Sequence, residues 1–143
     1  MKVRKQTTQT TGELKMNTQE IDNTLNVIDS RDIVERLEFL ESEYSDFIEN
    51  GEEEDFDYIE ELESLRSIIE DWSGVSDWEY GAFFVRDDYW EEYAEDLVRE
   101  IGDLPRDFPQ YIESHIDWGG VAEDIKQDYS PYVFDGVTYW CRY

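Results

Sequence analysis

The chain has 143 residues, enough for one domain or two small subdomains. Its 38 acidic and 12 basic residues give a formal net charge of −26, which excludes ordinary nucleic-acid binding because phosphate contacts need a basic face. Aromatic residues make up 15% of the chain, a share that disordered acidic tails lack, so we expect residues 29–143 to fold.

The N-terminal part predicts a flexible tail over residues 1–28. Residues 1–20 are rich in Thr and Gln and carry four basic against two acidic residues. No apolar stretch follows these bases, and no run approaches the ~20 apolar residues of a membrane span. The single cysteine, Cys141, excludes an intramolecular disulfide and is typical of a reducing compartment. We therefore expect a soluble cytoplasmic protein.

Residues 29–75 predict two amphipathic helices joined by a short acidic connector. The first, in "IDSRDIVERLEFLESEYSDFIENG", begins at an N-cap of Asp29 or Ser30 and stops at Gly51. The second lies in "FDYIEELESLRSIIEDW". Such a pair favours an antiparallel helical hairpin with outer faces of carboxylates. The inward stripes are Ile33, Leu37, Leu40, Tyr44, Phe47 and Ile48, then Ile59, Leu62, Leu65 or Arg66, Ile69 and Trp72.

Residues 76–143 predict a strand and two further helices. "WEYGAFFV" has the composition of a short strand. A helix capped by Asp87 or Asp88 then ends at Gly102, and Asp117 is expected to cap a shorter helix. The inward residues are Trp90, Tyr93, Ala94, Leu97 and Ile101 in the longer helix, and Val121, Ala122, Ile125 and Tyr129 in the shorter one.

The C-terminus predicts a β-hairpin. Asp135-Gly136 between two β-rich runs is typical of a two-residue turn. This register places on one face Tyr132, Phe134, Val137, Tyr139 and Cys141. A strand near residues 82–85 could add a third strand. The expected fold class is therefore α+β: an acidic antiparallel helical hairpin, then a small helix-rich subdomain whose short antiparallel sheet ends in this hairpin.

Catalytic and metal sites find little support. His115 and Cys141 are the only residues of their types and lack a nucleophile signature. There is no Gly-x-Ser-x-Gly elbow and no glycine-rich phosphate loop, and "ENGEEEDFD" lacks the EF-hand pattern. A close carboxylate pair carries no weight among 38 acids. We expect no enzyme, no cofactor and no specific metal site.

The excess of acids favours DNA mimicry over a merely soluble, halophile-like surface. Uncompensated charges cost stability through self-repulsion, so something should compensate for that cost. Duplex DNA carries one charge per ~1.7 Å of axis, so 26 charges match about 44 Å of duplex. In this hypothesis carboxylates stand where phosphates would, and a DNA-binding protein docks on them.

Two segments over about residues 80–142 carry a family resemblance. "RDDYWEEYAEDLVREIGDLP" and "IDWGGVAEDIKQDYSPYVFDGVTYWCRY" resemble ArdA-type antirestriction proteins of phages and mobile elements. The resemblance implies an elongated, often dimeric α+β protein without cofactors, acting in the host cytoplasm. It also implies mimicry of bent B-form DNA that occupies the DNA groove of Type I restriction–modification enzymes.

The resemblance implies partner-binding roles for the acids of the matching helices. These are Asp87, Asp88, Glu91, Glu92, Glu95, Asp96, Glu100, Asp117, Glu123, Asp124 and Asp128. The connector adds the candidates Glu52, Glu53, Glu54 and Asp55. The target stays open between a restriction–modification enzyme, a CRISPR effector, and a nucleoid protein or polymerase subunit. An acidic adaptor or chaperone for a basic partner is the alternative from another class.

Overall fold

The computed structural model describes residues 18–142, so residues 1–17 of the predicted tail lie outside the described residues. The strands are β1 (Val27–Asp29), β2 (Phe83–Arg86), β3 (Tyr129–Phe134) and β4 (Val137–Arg142). The α-helices are α1 (Ser30–Glu49), α2 (Ile59–Trp72), α3 (Trp90–Glu100), α4 (Gln110–Glu113) and α5 (Trp118–Lys126). The antiparallel sheet has the strand order β1-β2-β4-β3, so the predicted α+β class is confirmed.

The β3–β4 hairpin turns where the sequence predicts. Asp135 and Gly136 have φ values of 48° and 83°, the left-handed pair that a two-residue type I′ turn requires. Phe134 lies opposite Val137, and Tyr132 lies opposite Tyr139. Since directly opposed residues share a face, the predicted apolar face of the hairpin is confirmed.

The sheet forms the middle of three layers because its two faces are covered by different helices. Phe84 and Tyr139 are fully buried on the face that packs against α1 and α2. Here Trp72 of α2 stacks on Phe84 with the ring centroids 4.3 Å apart. The neighbouring residue Val85 points the other way, into a smaller core with Trp90 of α3. This second core also contains Ala94, Ala122, Ile125, Tyr129 and Trp140.

Helices α1 and α2 follow the predicted hairpin with two corrections. The Asp29 side chain accepts a hydrogen bond from the amide of Arg31, as expected of an N-cap. Ile48 is 49% exposed because it lies in the last turn of α1, past the layer that α2 covers. In α2, Ile69 packs against the core as predicted, and the sequence analysis missed its neighbour Ile68, which is the more deeply buried of the two.

The predicted stop of α3 at Gly102 is confirmed, but its start and the burial of Ile101 differ from the prediction. Residues Asp87–Tyr89 form a 3₁₀ turn, and no side-chain cap precedes Trp90. Asp87 instead accepts a hydrogen bond from Nε1 of Trp140 at 2.8 Å, and Asp88 pairs with Arg86. Ile101 is 60% exposed rather than inward, because the helix has ended and the chain turns away at Gly102.

Residues 18–29 are part of the packed structure, although the sequence placed residues up to 28 in a tail. Ile21 is buried, and its amide donates to Oε2 of Glu61 at 2.9 Å. The hydroxyl of Tyr139 donates to the carbonyl of Leu25 at 2.6 Å, and β1 then pairs with β2. A three-residue strand whose partner strand lies some 55 residues later in the chain leaves no local pattern in the sequence.

Candidate functional site

The helices on the two faces of the sheet are called the first layer (α1 and α2) and the second layer (α3, α4 and α5). The acids predicted on α3 and α5 lie on the outer surface of the second layer. Trp90 and Ala94 turn one side of α3 into the core, so the polar positions between them face solvent. The exposed members are Asp87, Asp88, Glu91, Glu92, Asp96, Glu100, Asp117, Glu123, Asp124 and Asp128, and Glu95 is half-buried. The structure thus brings these eleven acids into one helical layer.

Several of these carboxylates have partners within the chain. Asp117 caps α5 by accepting from the amide of Gly120 at 3.0 Å. Lys126 lies 3.2 Å from Glu123 and 3.7 Å from Asp87, and its ammonium sits over the ring of Trp140. These acids contribute to the fold, which reduces the charge that they present to a partner.

Four acids of α3 form an open acidic track. Glu91 and Glu92 lie in the first turn, where the helix dipole favours negative charge. Asp96 and Glu100 follow Glu92 at four-residue spacing, so the three share one side of the helix about 6 Å apart along the axis. No ion pair joins these four acids, or Asp124 of α5 and Asp128 just beyond it, to a base within residues 18–142.

Arg99 holds the second layer together. Its guanidinium donates to Glu95 of α3 at 2.9 Å and also to Glu113 of α4. Its Cζ lies 5.5 Å from the ring centre of Trp118 in α5. The hydrogen bonds to Glu113 and Glu95 raise the pKa of Arg99, so this clamp between three helices stays charged.

The connector acids lie in the other layer. Glu53, Glu54 and Asp55 form an exposed 3₁₀ turn at the end of the α1–α2 hairpin, and Glu52 precedes it, partly buried. The turn sits next to an aromatic cluster in which Phe56 contacts Tyr44, Phe47 and Tyr58. Because α1 and α2 cover the opposite face of the sheet, the structure does not bring these acids together with those of α3 and α5.

Most bases of the described residues are engaged inside the chain. Residues 18–142 contain eight bases, and six of them lie within 4 Å of a carboxylate. The six are Arg31, Arg36, Arg66, Arg86, Arg99 and Lys126. The outer surface therefore presents carboxylates with few cations between them.

The first layer contains an acidic groove that the sequence did not predict. It has a volume of about 600 Å³ and lies between α2, the β3–β4 turn and residues 20–22. Its carboxylates come from three distant segments, so no local motif could have indicated it. Within residues 18–142, no three His, Cys, Asp or Glu side chains are placed to hold a metal ion.

The two residues considered for catalysis lie in different surroundings. Cys141 is buried in the first core, and this burial raises the pKa of its thiol to about 11. His115 is exposed in the link between α4 and α5. A thiol with so high a pKa is almost wholly protonated near neutral pH, which makes it a poor nucleophile.

None of the helices in residues 18–142 is long and apolar enough to cross a membrane.

Comparisons with known proteins give no relative from which a function could be transferred. No family model matches the chain, and no curated protein or solved structure matches it significantly.

Proposed function

We propose that this protein is a DNA mimic that inhibits a basic DNA-binding protein of a host by occupying its DNA site. The first candidate target is a Type I restriction–modification enzyme, and the alternative is a CRISPR effector. The carboxylates pair with Lys and Arg of the target in a stoichiometric complex, and no reaction follows. The protein acts in the host cytoplasm, where such enzymes meet DNA.

The charge density of α3 is the observation that carries this proposal. The helix has 11 residues, which span about 16 Å. Over that length it carries five carboxylates: Glu91, Glu92, Glu95, Asp96 and Glu100. One strand of B-DNA has a phosphate per ~3.4 Å, or about five in 16 Å. Arg99 of the same helix pairs with Glu95, which leaves four carboxylates without an ion pair to a base in residues 18–142, so a basic groove that reads a phosphate backbone would still meet a similar linear charge.

A rigid support distinguishes such an array from a flexible acidic tail. Trp90 is buried, and the centroid of its ring lies 4.7 Å from that of Tyr129. Its Nε1 donates a hydrogen bond to the carbonyl of Ala122 at 2.8 Å. These contacts fix α3 to both α5 and the sheet. Fixed charges need no ordering when the partner arrives, which supports affinity, while the summed field steers a basic partner and makes association salt-sensitive.

Two variants of equal charge test whether the position of the acids matters. E91Q/E92Q/D96N/E100Q removes four carboxylates from the open track of α3, and E35Q/E38Q/D46N/E49Q removes four exposed carboxylates from α1. Exposed ion pairs contribute about 0.2–1 kcal/mol each, so the α3 variant should lose about 1–4 kcal/mol of binding, at least several-fold in Kd. The α1 variant should lose clearly less, and each single α3 change should have a small effect.

The target itself is identified by capture from host lysate with the tagged protein, repeated with excess duplex DNA. Capture of a restriction, modification or CRISPR subunit that DNA displaces supports mimicry. A captured partner that stays bound while DNA occupies it would instead make the protein an adaptor. Equal loss for the two charge variants would reduce the mechanism to net charge, without a role for α3.

A further inference from the structure

The acidic groove of the first layer combines charge with an apolar floor. Its carboxylates include Glu20, Asp22, Glu60, Glu63, Asp71 and Asp135. Between them lie Ile21, Ile68, Phe134 and Val133, and the Val133 side chain is 62% exposed. A groove of this kind fits an extended peptide that carries basic side chains on an aliphatic stem.

The groove is a negative site because, within residues 18–142, only one of its carboxylates is paired with a base. Arg36 neutralises Glu61 through two hydrogen bonds of 2.8 Å. The other six carboxylates have no ion pair to a base among residues 18–142. Asp22 accepts from the hydroxyl and the amide of Thr24, which lower its pKa and keep it ionised.

The described chain enters the groove directly. Glu20, Ile21 and Asp22 line it, and two residues earlier the hydroxyl of Thr18 accepts a hydrogen bond from Arg36 at 3.2 Å. Residues 1–17 precede this point and carry four bases, Lys2, Arg4, Lys5 and Lys15, against the single acid Glu13. A third of the bases of the whole chain therefore lie in the sequence that immediately precedes this segment.

The tether is long enough for each of these bases to reach the groove. An extended chain spans at most about 3.5 Å per residue, so Lys15 reaches about 10 Å from Thr18 and Lys5 about 45 Å. The groove follows α2 from Glu60 to Asp71, about 16 Å of helix. A tether of this length gives an effective concentration on the order of millimolar, enough to populate a weak contact.

We propose that the basic N-terminal segment, residues 1–17, docks in the acidic groove of its own chain. The segment covers the α2 side of the molecule and shields it from other cations, while the acids of α3 lie on the opposite side of the sheet. This contact is independent of the proposed DNA mimicry, and it is tested on the free protein.

Zero-length carbodiimide cross-linking of the full chain at low salt reports which acids the lysines contact. Lys2, Lys5 and Lys15 should link to groove acids several-fold more often than to Glu91, Glu92 or Asp96. Lys126 is an internal control, because its ammonium lies 3.2 Å from Glu123 and neither residue is substituted in any variant. Salt at 1 M, where the Debye length is about 3 Å, should remove the tail links. Tail links shared equally between the two layers, or absent altogether, would overturn the proposal.

Two substituted chains separate docking from general attraction. E60Q/E63Q/D71N leaves the groove acids Asp22 and Asp135 in place but should reduce the cross-links between the tail lysines and these two acids. E91Q/E92Q/D96N removes the same charge from α3 and should leave those cross-links unchanged. Beyond the substituted segment itself, NMR of K2Q/R4Q/K5Q/K15Q against the unaltered chain should show shifts confined to residues 20–22, α2 and the turn at Asp135-Gly136. Shifts spread over α3 and α5 as well would mean that the segment has no specific site.

Discussion

The buried ion pair between α1 and α2 gives a sharp test of how this acid-rich chain holds together. Arg36 donates to both carboxylate oxygens of Glu61, and the two side chains are only 7% and 8% exposed. R36M keeps a similar helix propensity but leaves Glu61 without its cation. Breaking a buried pair costs about 3–5 kcal/mol, and because Glu61 also borders the groove we expect a loss of about 3 kcal/mol.

Arg66 and Glu41 supply a matched control on the same two helices. Their Nε–Oε2 distance is 3.0 Å and their sequence separation is also 25, but the side chains are 52% and 44% exposed. R66M removes the same charge as R36M and should cost less than about 1 kcal/mol. R36M/E61M should recover part of the loss, because it leaves no unpaired charge. Urea unfolding at one pH and salt concentration gives the free energy of unfolding of the unaltered chain, R36M, R66M and R36M/E61M. Equal losses of stability in R36M and R66M would refute the reasoning.

Salt, pH and two glycine substitutions test other parts of the structure. Raising the salt concentration from 0.01 M to 1 M shortens the Debye length from about 30 to 3 Å and so screens the repulsion between carboxylates of the folded protein. The midpoint of thermal unfolding should therefore rise, and an unchanged midpoint would contradict self-repulsion. Burial raises the pKa of Tyr139 to about 12 and of Cys141 to about 11. The unfolded chain therefore loses these protons first, so stability should be full below about pH 9 and fall towards pH 12 in a fluorescence-monitored titration. No fall by pH 12 would contradict this burial. Gly81 has a φ of 111°, and a Cβ there would lie 2.8 Å from Arg31, whereas Gly136 has open space around it. G136A and G81A should each cost about 1–2 kcal/mol in urea unfolding, because both put a side chain at positive φ while the exposed Arg31 guanidinium can move aside, and a much larger cost for G81A would show that Arg31 is held in place.

Strong local patterns made much of the fold predictable from the sequence. The Asp135-Gly136 turn and the cap at Asp29 are set by neighbouring residues, so they appear at the expected positions. Strand β1 was missed because its place depends on β2, some 55 residues later in the chain. Ile48 and Ile101 were assigned inward by periodicity alone, which does not reveal where the covering layer ends.

The candidate site was predictable as a surface but not as a set of contacts. Periodicity correctly left Glu91, Glu92 and Asp96 outside the apolar stripe of α3. It could not show that Asp87 accepts from Trp140, because the two residues meet only through the fold. The acidic groove was hidden for the same reason, since residues 20–22, α2 and the β3–β4 turn are far apart in sequence.

The bases of the second layer show why geometry and net charge must be tested separately in the proposed DNA mimicry. A surface selected for negative charge alone would have no use for Arg99, yet this residue joins three helices through Glu95, Glu113 and Trp118. R99M makes the chain more negative while it loosens the support of α3. We expect R99M to bind the captured target more weakly despite its extra negative charge, because displaced carboxylates no longer match the cations of the partner. Kd measured at low and at high salt checks this expectation. Tighter binding by R99M at both salts would mean that total charge, rather than the fixed spacing on α3, governs recognition.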